Sequence, residues 1–178
     1  MTEIEDIPAS QVGDVTSSAR GSGARYNSGK PQMELIPLWI IADSYKGVPN
    51  VDNDIRRALF FLGRFQTTQR VEHLDDAIAC MESYWKSAAK VFDYGRRKYA
   101  EWNWAKGMAW SVPVACAARH ALKVLSENEQ TDDESGELHG GHMLCNLVML
   151  RTFIESWPIG NDLPNPELFT PPPVAPEF

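Results

Sequence analysis

The sequence predicts an all-α protein, on three observations. Apolar residues recur at helical spacing through most of residues 29–157. Nowhere does the two-residue alternation of a half-buried strand run between turn signals. The ends, by contrast, carry no periodic stripe: residues 1–28 are rich in acidic residues, Ser and Gly, and seven of the twelve prolines lie between Pro158 and Pro176. The expected organisation is a mobile arm over 1–28, one helical domain over 29–157 and an extended Pro-rich tail over 158–178, because neither end offers enough apolar burial to offset the entropy of ordering it.

The elements follow in chain order. Glu34 to Tyr45 reads as a short helix interrupted at Pro37. Ile55, Ala58, Leu59, Leu62 and Phe65 form an i, i+3, i+4, i+7 stripe behind Asp54, the expected N-cap. Leu74, Ala77, Ile78, Met81, Trp85, Ala88 and Phe92 predict one continuous helix over 71–95. Ser111 and Pro113 mark a first turn, and the stripe Val114, Ala117, Ala118, Ala121, Leu122, Leu125 continues it for about four turns. A last helix is expected from near Gly136 to about Ser156.

Composition narrows the function classes. A net charge of −7 and a pI near 5.1 argue against a nucleic-acid-binding face, which needs clustered Lys and Arg. Small phosphorylated ligands stay open, because a local basic pocket or a bound cation reverses the field locally. Cys80, Cys116 and Cys145 are widely spaced within apolar patterns and read as reduced core residues. No stretch is apolar for long enough to cross a membrane, and Met1-Thr2-Glu3-Ile4-Glu5-Asp6 is acidic where a signal peptide is basic, so a cytoplasmic protein is expected. Six Trp and seven Phe in a small helical domain point to a homo-oligomer.

Chemistry concentrates in two places. The acidic run Glu129, Asp132, Asp133, Glu134 is on its own a solvated loop. It leads, however, into a helix on which His139, His142 and Asn146 fall within about 60° of one another at 100° per residue. Leu144, Leu147 and Val148 make the opposite face apolar too, so these polar groups are buried and need partners. The preceding helix, an antiparallel neighbour, offers Arg119 and His120. A second cluster, Tyr94-Gly95-Arg96-Arg97-Lys98-Tyr99 with Asn103-Trp104, interleaves cations with aromatics, which suits phosphates and a stacked base. Alone it is equally a helix end whose cations complement the dipole. Gly23 to Lys30 is not a P-loop: five residues rather than four separate its glycines, Pro31 stands where a Ser or Thr would bind metal, and no strand precedes it.

Four pieces of the chain together resemble the phage dATP/dGTP diphosphohydrolases, MazZ-like proteins related to the all-α MazG-type pyrophosphatases. They are Gly29-Lys30-Pro31 with Glu34-Leu35-Ile36-Pro37; Gly95, Lys98-Tyr99 and Asn103-Trp104; Arg119-His120; and Glu129 to Asp132, Glu134-Ser135-Gly136, His139, His142 and Asn146. The resemblance implies a MazG-like helical bundle, oligomeric, that cleaves dATP and dGTP between the α- and β-phosphates with a divalent metal, and that serves phages whose DNA carries 2-aminoadenine. Glu129, Asp132 and Glu134 become the candidate ligands for Mg²⁺ or Mn²⁺. Glu134, His139 and His142 are the candidate catalytic groups. Lys98, Tyr99, Asn103, Trp104, Arg119, His120 and Asn146 are the candidate substrate contacts. Two departures qualify the transfer. This chain inserts about 50 residues between the Pro37 and Gly95 regions, and the MazG pattern Glu-x-x-Glu then Glu-x-x-Asp is matched only by Glu134-Ser135-Gly136-Glu137 and, out of order, by Glu72-His73-Leu74-Asp75. Asp75, Asp76 and Glu82 in the insertion are therefore held as reserve ligands. The rival readings are a non-enzymatic adaptor that docks through the Pro-rich tail, and a hydrolase of another phosphorylated compound.

Overall fold

The computed structural model describes residues 17–171 except 26 and 28, and these form six α-helices with no strand among them. A single 3-10 turn at Met33–Leu35 precedes α1 (Leu38–Ser44), and the break between them falls at Pro37, whose ψ of 104° is extended. The buried Gln66 side chain bridges that break, accepting from Leu38 N at 3.0 Å and donating to the carbonyls of Glu34 and Ile36. It belongs to α2 (Asn53–Thr68), whose buried stripe is the expected Ile55, Ala58, Leu59, Leu62 and Phe65.

The N-cap of α2 is Asp52 rather than Asp54. Asp52 Oδ1 accepts from the amides of Asp54 and Ile55 at 3.0 Å each, and Oδ2 accepts from Tyr84 Oη at 2.8 Å. That second bond also explains why residues 71–95 are not one helix. The expected helix is divided into α3 (Val71–Cys80) and α4 (Trp85–Lys98) by a 3-10 turn at Glu82–Tyr84. Met81 stays fully buried at the junction. Tyr84, pinned to Asp52, redirects the chain, so a tertiary contact overrides a periodicity that both halves continue.

Helix α5 (Ser111–Leu125) begins as its Ser and Pro signals predict, and the Asp162 carboxylate supplies acceptors for its first amide and for Ser111 Oγ. Helix α6 (His139–Ser156) starts three residues later than Gly136. Gly136, at φ 76°, instead closes a turn in which Asp132 captures the Ser135 amide and hydroxyl, and Thr131 pairs with Leu138 in an isolated antiparallel bridge.

Helix α6 is the axis of the molecule, packing on α5, α4 and α3. Its residues are buried almost all round, from His139 through Leu147 and again at Met149, Leu150 and Phe153. Gly140 and Gly141 allow the close approach of α4 and the turn before it. A Cβ on Gly140 would stand 2.2 Å from the Tyr84 ring, and one on Gly141 would stand 2.2 Å from Ser87 Oγ and 2.9 Å from the Ser87 carbonyl carbon.

The two ends differ from the sequence expectation where they are described. Residues 17–25, expected to be mobile, lie along the domain: Gly21 N and Gly23 N donate to Lys106 O and Gly107 O at 2.7 and 2.9 Å, and Ala24 is buried. The tail includes 3-10 turns at Pro158–Gly160 and Pro166–Phe169 and is held to α2 by Gln69, which exchanges hydrogen bonds with Asn161 and Pro164. Residues 1–16 of the arm and 172–178 of the tail lie outside the described residues. Among the described residues, no helix is long and apolar enough to cross a membrane.

Gly141→Ala should destabilise the protein by about 1–3 kcal/mol through overpacking, even though Ala is the better helix former. A thermal melt followed by far-ultraviolet circular dichroism checks this, and an unchanged midpoint would refute the tight α4–α6 contact.

Candidate active site

A cleft of about 1020 Å³ opens between the C-terminal half of α4, the 3-10 turn Asn103–Lys106, α5, α6 and the strap that carries Ala24, Arg25, Lys30 and Pro31. It gathers most of the residues singled out from sequence: Lys98, Tyr99, Asn103, Trp104, Arg119, His120, Asp132, Glu134, His139 and His142 all line it. Asn146 sits one turn beyond His142, to whose carbonyl it donates at 2.7 Å.

Three imidazoles occupy one end. His120 on α5 stacks on His142 of α6 with ring centroids 4.4 Å apart and planes 18° apart, and His120 Nδ1 lies 2.9 Å from His139 Nδ1. Hydrogen-bond chemistry assigns the protons. The Glu129 carboxylate, 3.1 Å from His139 Nε2, only accepts, so Nε2 carries the hydrogen and Nδ1 of a neutral His139 ring presents its lone pair. His142 Nε2 lies 2.7 Å from Ser135 Oγ, which is itself 2.9 Å from Asp132 Oδ2. Because the carboxylate must accept, the proton order runs His142 Nε2–H to Ser135 Oγ, and Ser135 Oγ–H to Asp132.

Charge states follow from burial. Desolvation, reinforced by the neighbouring His142 and Arg25, pushes His120 down to about 2. Desolvation also takes His142 down to about 4, although Asp132 pulls the other way. Burial pushes the Asp132 carboxyl up, but the Ser135 amide and hydroxyl outweigh it and hold the group below its ordinary value. Glu129 is lowered by its hydrogen bonds to His139 and Lys123.

The three carboxylates assigned to metal do not share one point. Among the described residues, the set whose ligand atoms all lie within 4.8 Å of one another is His120, Asp132 and His139. Two imidazole nitrogens and a carboxylate are a donor set that fits a divalent cation, and Glu129 behind His139 is the usual orienting carboxylate of such sites. Glu129 thus stands behind a ligand rather than among the ligands. Glu134 accepts from Tyr94 Oη at 2.6 Å and from Lys98 Nζ across the cleft. That pairing lowers Glu134 despite its burial and raises Lys98 despite its own. Asp75, held in reserve, pairs with Arg151 and lines with Glu82 a small separate depression beside Trp85; neither they nor Asp76 lines the cleft.

The opposite wall is aromatic. Trp104 lies within 5.3 Å of Phe92, 5.9 Å of Trp102 and 6.3 Å of Phe153 by ring centroid, and Trp102 is two-thirds exposed. Lys98 Nζ sits 5.6 Å from the Tyr99 ring centroid. Asn103, 4% exposed, accepts from Ala24 N through Oδ1, and its Nδ2 has no acceptor among the described residues. Arg119 is committed to the strap, donating to Pro31 O at 2.9 Å and Asn27 Oδ1 at 2.6 Å.

Two residues escaped the sequence reading. Ser135 had a legible signal, the Asp-x-x-Ser spacing of a side-chain-closed turn. Arg25 had none, because its segment looked unstructured; it lines the cleft and donates to Asn146 Oδ1 at 2.8 Å.

Fold and site together define an all-α protein whose cleft suits a divalent cation and an anionic, partly aromatic ligand. A family model described as dATP/dGTP diphosphohydrolase, N-terminal, matches residues 67–162, more than half of the 178, and the chain belongs to that family. No curated protein and no solved structure matches it.

Neutral buried imidazoles make stability depend on pH. The folded values of His120 and His142 lie below the unfolded value of 6.5, so the unfolded chain binds more protons as pH falls. Their contribution is complete above about pH 6.5 and is lost on acidification toward pH 4 and below. The melting temperature in EDTA should therefore fall from pH 7.5 to pH 5, and His120→Gln should flatten that slope. A wild-type midpoint that holds constant over this range would contradict the neutral cluster.

Proposed function

We propose that this protein hydrolyses purine deoxynucleoside triphosphates, dGTP and dATP, to the monophosphate and pyrophosphate, using water and a divalent metal. The observation that carries this reading is the cleft itself. In a member of a family named for that activity, one cavity joins a His120–Asp132–His139 cluster, a phosphate-compatible cation and an aromatic wall.

His120, Asp132 and His139 would hold the ion, which when bound supplies charge neutralisation on the phosphates and a water of lowered pKa. Of Mg²⁺ and Mn²⁺, two imidazole nitrogens favour Mn²⁺, since Mg²⁺ prefers oxygen ligands. Glu129 orients His139, and the chain from His142 through Ser135 orients Asp132. Lys98 takes a phosphate in exchange for Glu134. The Glu134 carboxylate so released faces the cleft and serves as general base toward the attacking water. Tyr99 and Trp104 stack on or flank the base, and Asn103 donates through Nδ2. Arg119 acts through the strap it holds. The reaction also suits a role in remodelling the nucleotide pool of a phage with 2-aminoadenine DNA, and self-association through exposed Leu35, Ile36 and Ile40 suits the expected oligomer.

Incubating the protein with each dNTP and Mg²⁺ or Mn²⁺, with products resolved by ion exchange, is the direct test. Monophosphate plus pyrophosphate from dGTP and dATP, abolished by EDTA and by Asp132→Asn, is the expected result. Release of orthophosphate, or full activity in Asp132→Asn, would overturn it. Ser135→Ala should weaken Mn²⁺ affinity by about 10–100-fold, measured by calorimetry, and should also lower the melting midpoint, by about 1–3 kcal/mol of stability, because His142 Nε2–H loses its acceptor.

A further inference from the structure

The cleft's cations other than Lys30 are unequally committed. Lys98 is paired with Glu134, and Lys123 with Glu127 and Glu129. Arg96 is paired with Asp93, and Arg119 is spent on the strap's Pro31 and Asn27. Arg25 differs from all of these. Its guanidinium donates to a neutral amide oxygen, Asn146 Oδ1, and among the described residues it makes no ion pair. The thiols of Cys116 and Cys145 and the Tyr99 side chain are its other neighbours, and burial pushes Cys145 up to about 12, so that group is uncharged at neutral pH and is no counterion.

A guanidinium stays protonated throughout the accessible pH range. A permanent cation drawn into a cleft with no carboxylate paired to it is costly unless an anion arrives to meet it. Its place is held from both sides. The preceding residue, Ala24, is buried and bonded to Asn103 Oδ1 at 2.7 Å, and Asn146 is fixed in turn by its bond to the His142 carbonyl. Asn146, which receives the Arg25 guanidinium, lies one turn beyond His142 and bonds its carbonyl, and this puts the guanidinium within reach of the end of the cleft where the imidazoles stand.

We infer that Arg25, carried on the strap, is a residue that binds the polyphosphate of the substrate, seating it between the strap and the His120–Asp132–His139 cluster. This assignment rests on the nucleotide reading of the cleft. It gives the N-terminal segment, which precedes the stretch matched by the family model, a direct part in the site. A guanidinium offers a planar fork of donors that matches phosphate oxygens two at a time, so Lys is an incomplete substitute.

The test compares wild type, Arg25→Gln and Arg25→Lys, with folding of each checked by circular dichroism. Calorimetric titration with inorganic tripolyphosphate and, separately, with deoxyguanosine reads phosphate and base recognition independently of turnover. Arg25→Gln should weaken tripolyphosphate binding by about 10–100-fold, the loss of a charge-assisted hydrogen-bonded contact, and leave deoxyguanosine binding within about twofold. Arg25→Lys should fall between, and it carries the test alone if Arg25→Gln does not fold. Where wild type turns over dGTP, KM should rise in step. Unchanged tripolyphosphate binding overturns the assignment, as does a parallel loss of deoxyguanosine, which would make Arg25 a base contact. If wild type binds tripolyphosphate through Arg25 but hydrolyses no dNTP, the anion seat stands and the hydrolase reading fails.

Discussion

Everything in this site follows from putting polar side chains on a helix that is buried almost all round. His139, His142 and Asn146 on α6 are each under 10% exposed, and an unsatisfied polar group there would cost a kilocalorie or more. Each is met from a different direction. Glu129 and Ser135 come from the acidic connection, His120 from α5 and Arg25 from the strap. The cleft is the place where those partners converge. Acidic loop, second helix and N-terminal segment are positioned by one requirement, the satisfaction of α6.

The same helix explains how its partners reach it. Gly140 and Gly141 sit directly behind the histidines and bring Tyr84 and Ser87 into backbone contact, at a cost in helix propensity of about 1 kcal/mol each. Tyr84 is fixed in turn by Asp52, the cap of α2. Contacts thus run without a break from the start of α2, through the α3–α4 junction, to the N-terminal turn of α6 where the imidazoles stand. Residues of the insertion that carry no chemistry of their own thereby support the site.

Helical periodicity made most of the architecture legible, because five of the helices bury a stripe on one side and a stripe is visible in sequence. The misreadings share one cause, side-chain bonds that local pattern does not register. Asp52 takes both the cap and Tyr84, which divides the 71–95 helix. Asp132 takes Ser135, which delays α6 past Gly136. In the site, residue types at helical spacing were enough to bring together His139 and His142 and, from the neighbouring helix, His120. Carboxylates were harder to place: Glu129, Asp132 and Glu134 look equivalent in a loop, yet one stands behind a histidine, one joins the cluster and one crosses to Lys98. Arg25 was illegible because a segment held by backbone pairing to Lys106 and Gly107, and by Asn103, has the composition of a disordered one.

A chain of net charge −7 can still present a site for a polyanion, because what the ligand meets is the local field. Six basic side chains line the cleft against four acidic ones, whereas the chain as a whole has 17 against 24. Lys98, the basic group that faces Glu134 directly, is neutralised by it until a phosphate competes. His120 and His142, kept neutral by burial and by Arg25, add lone pairs rather than charge. Positive charge is thereby concentrated on the strap while ligand nitrogens and Asp132 face it. A metal and a phosphate can then share one cavity without either being repelled by its half of the wall.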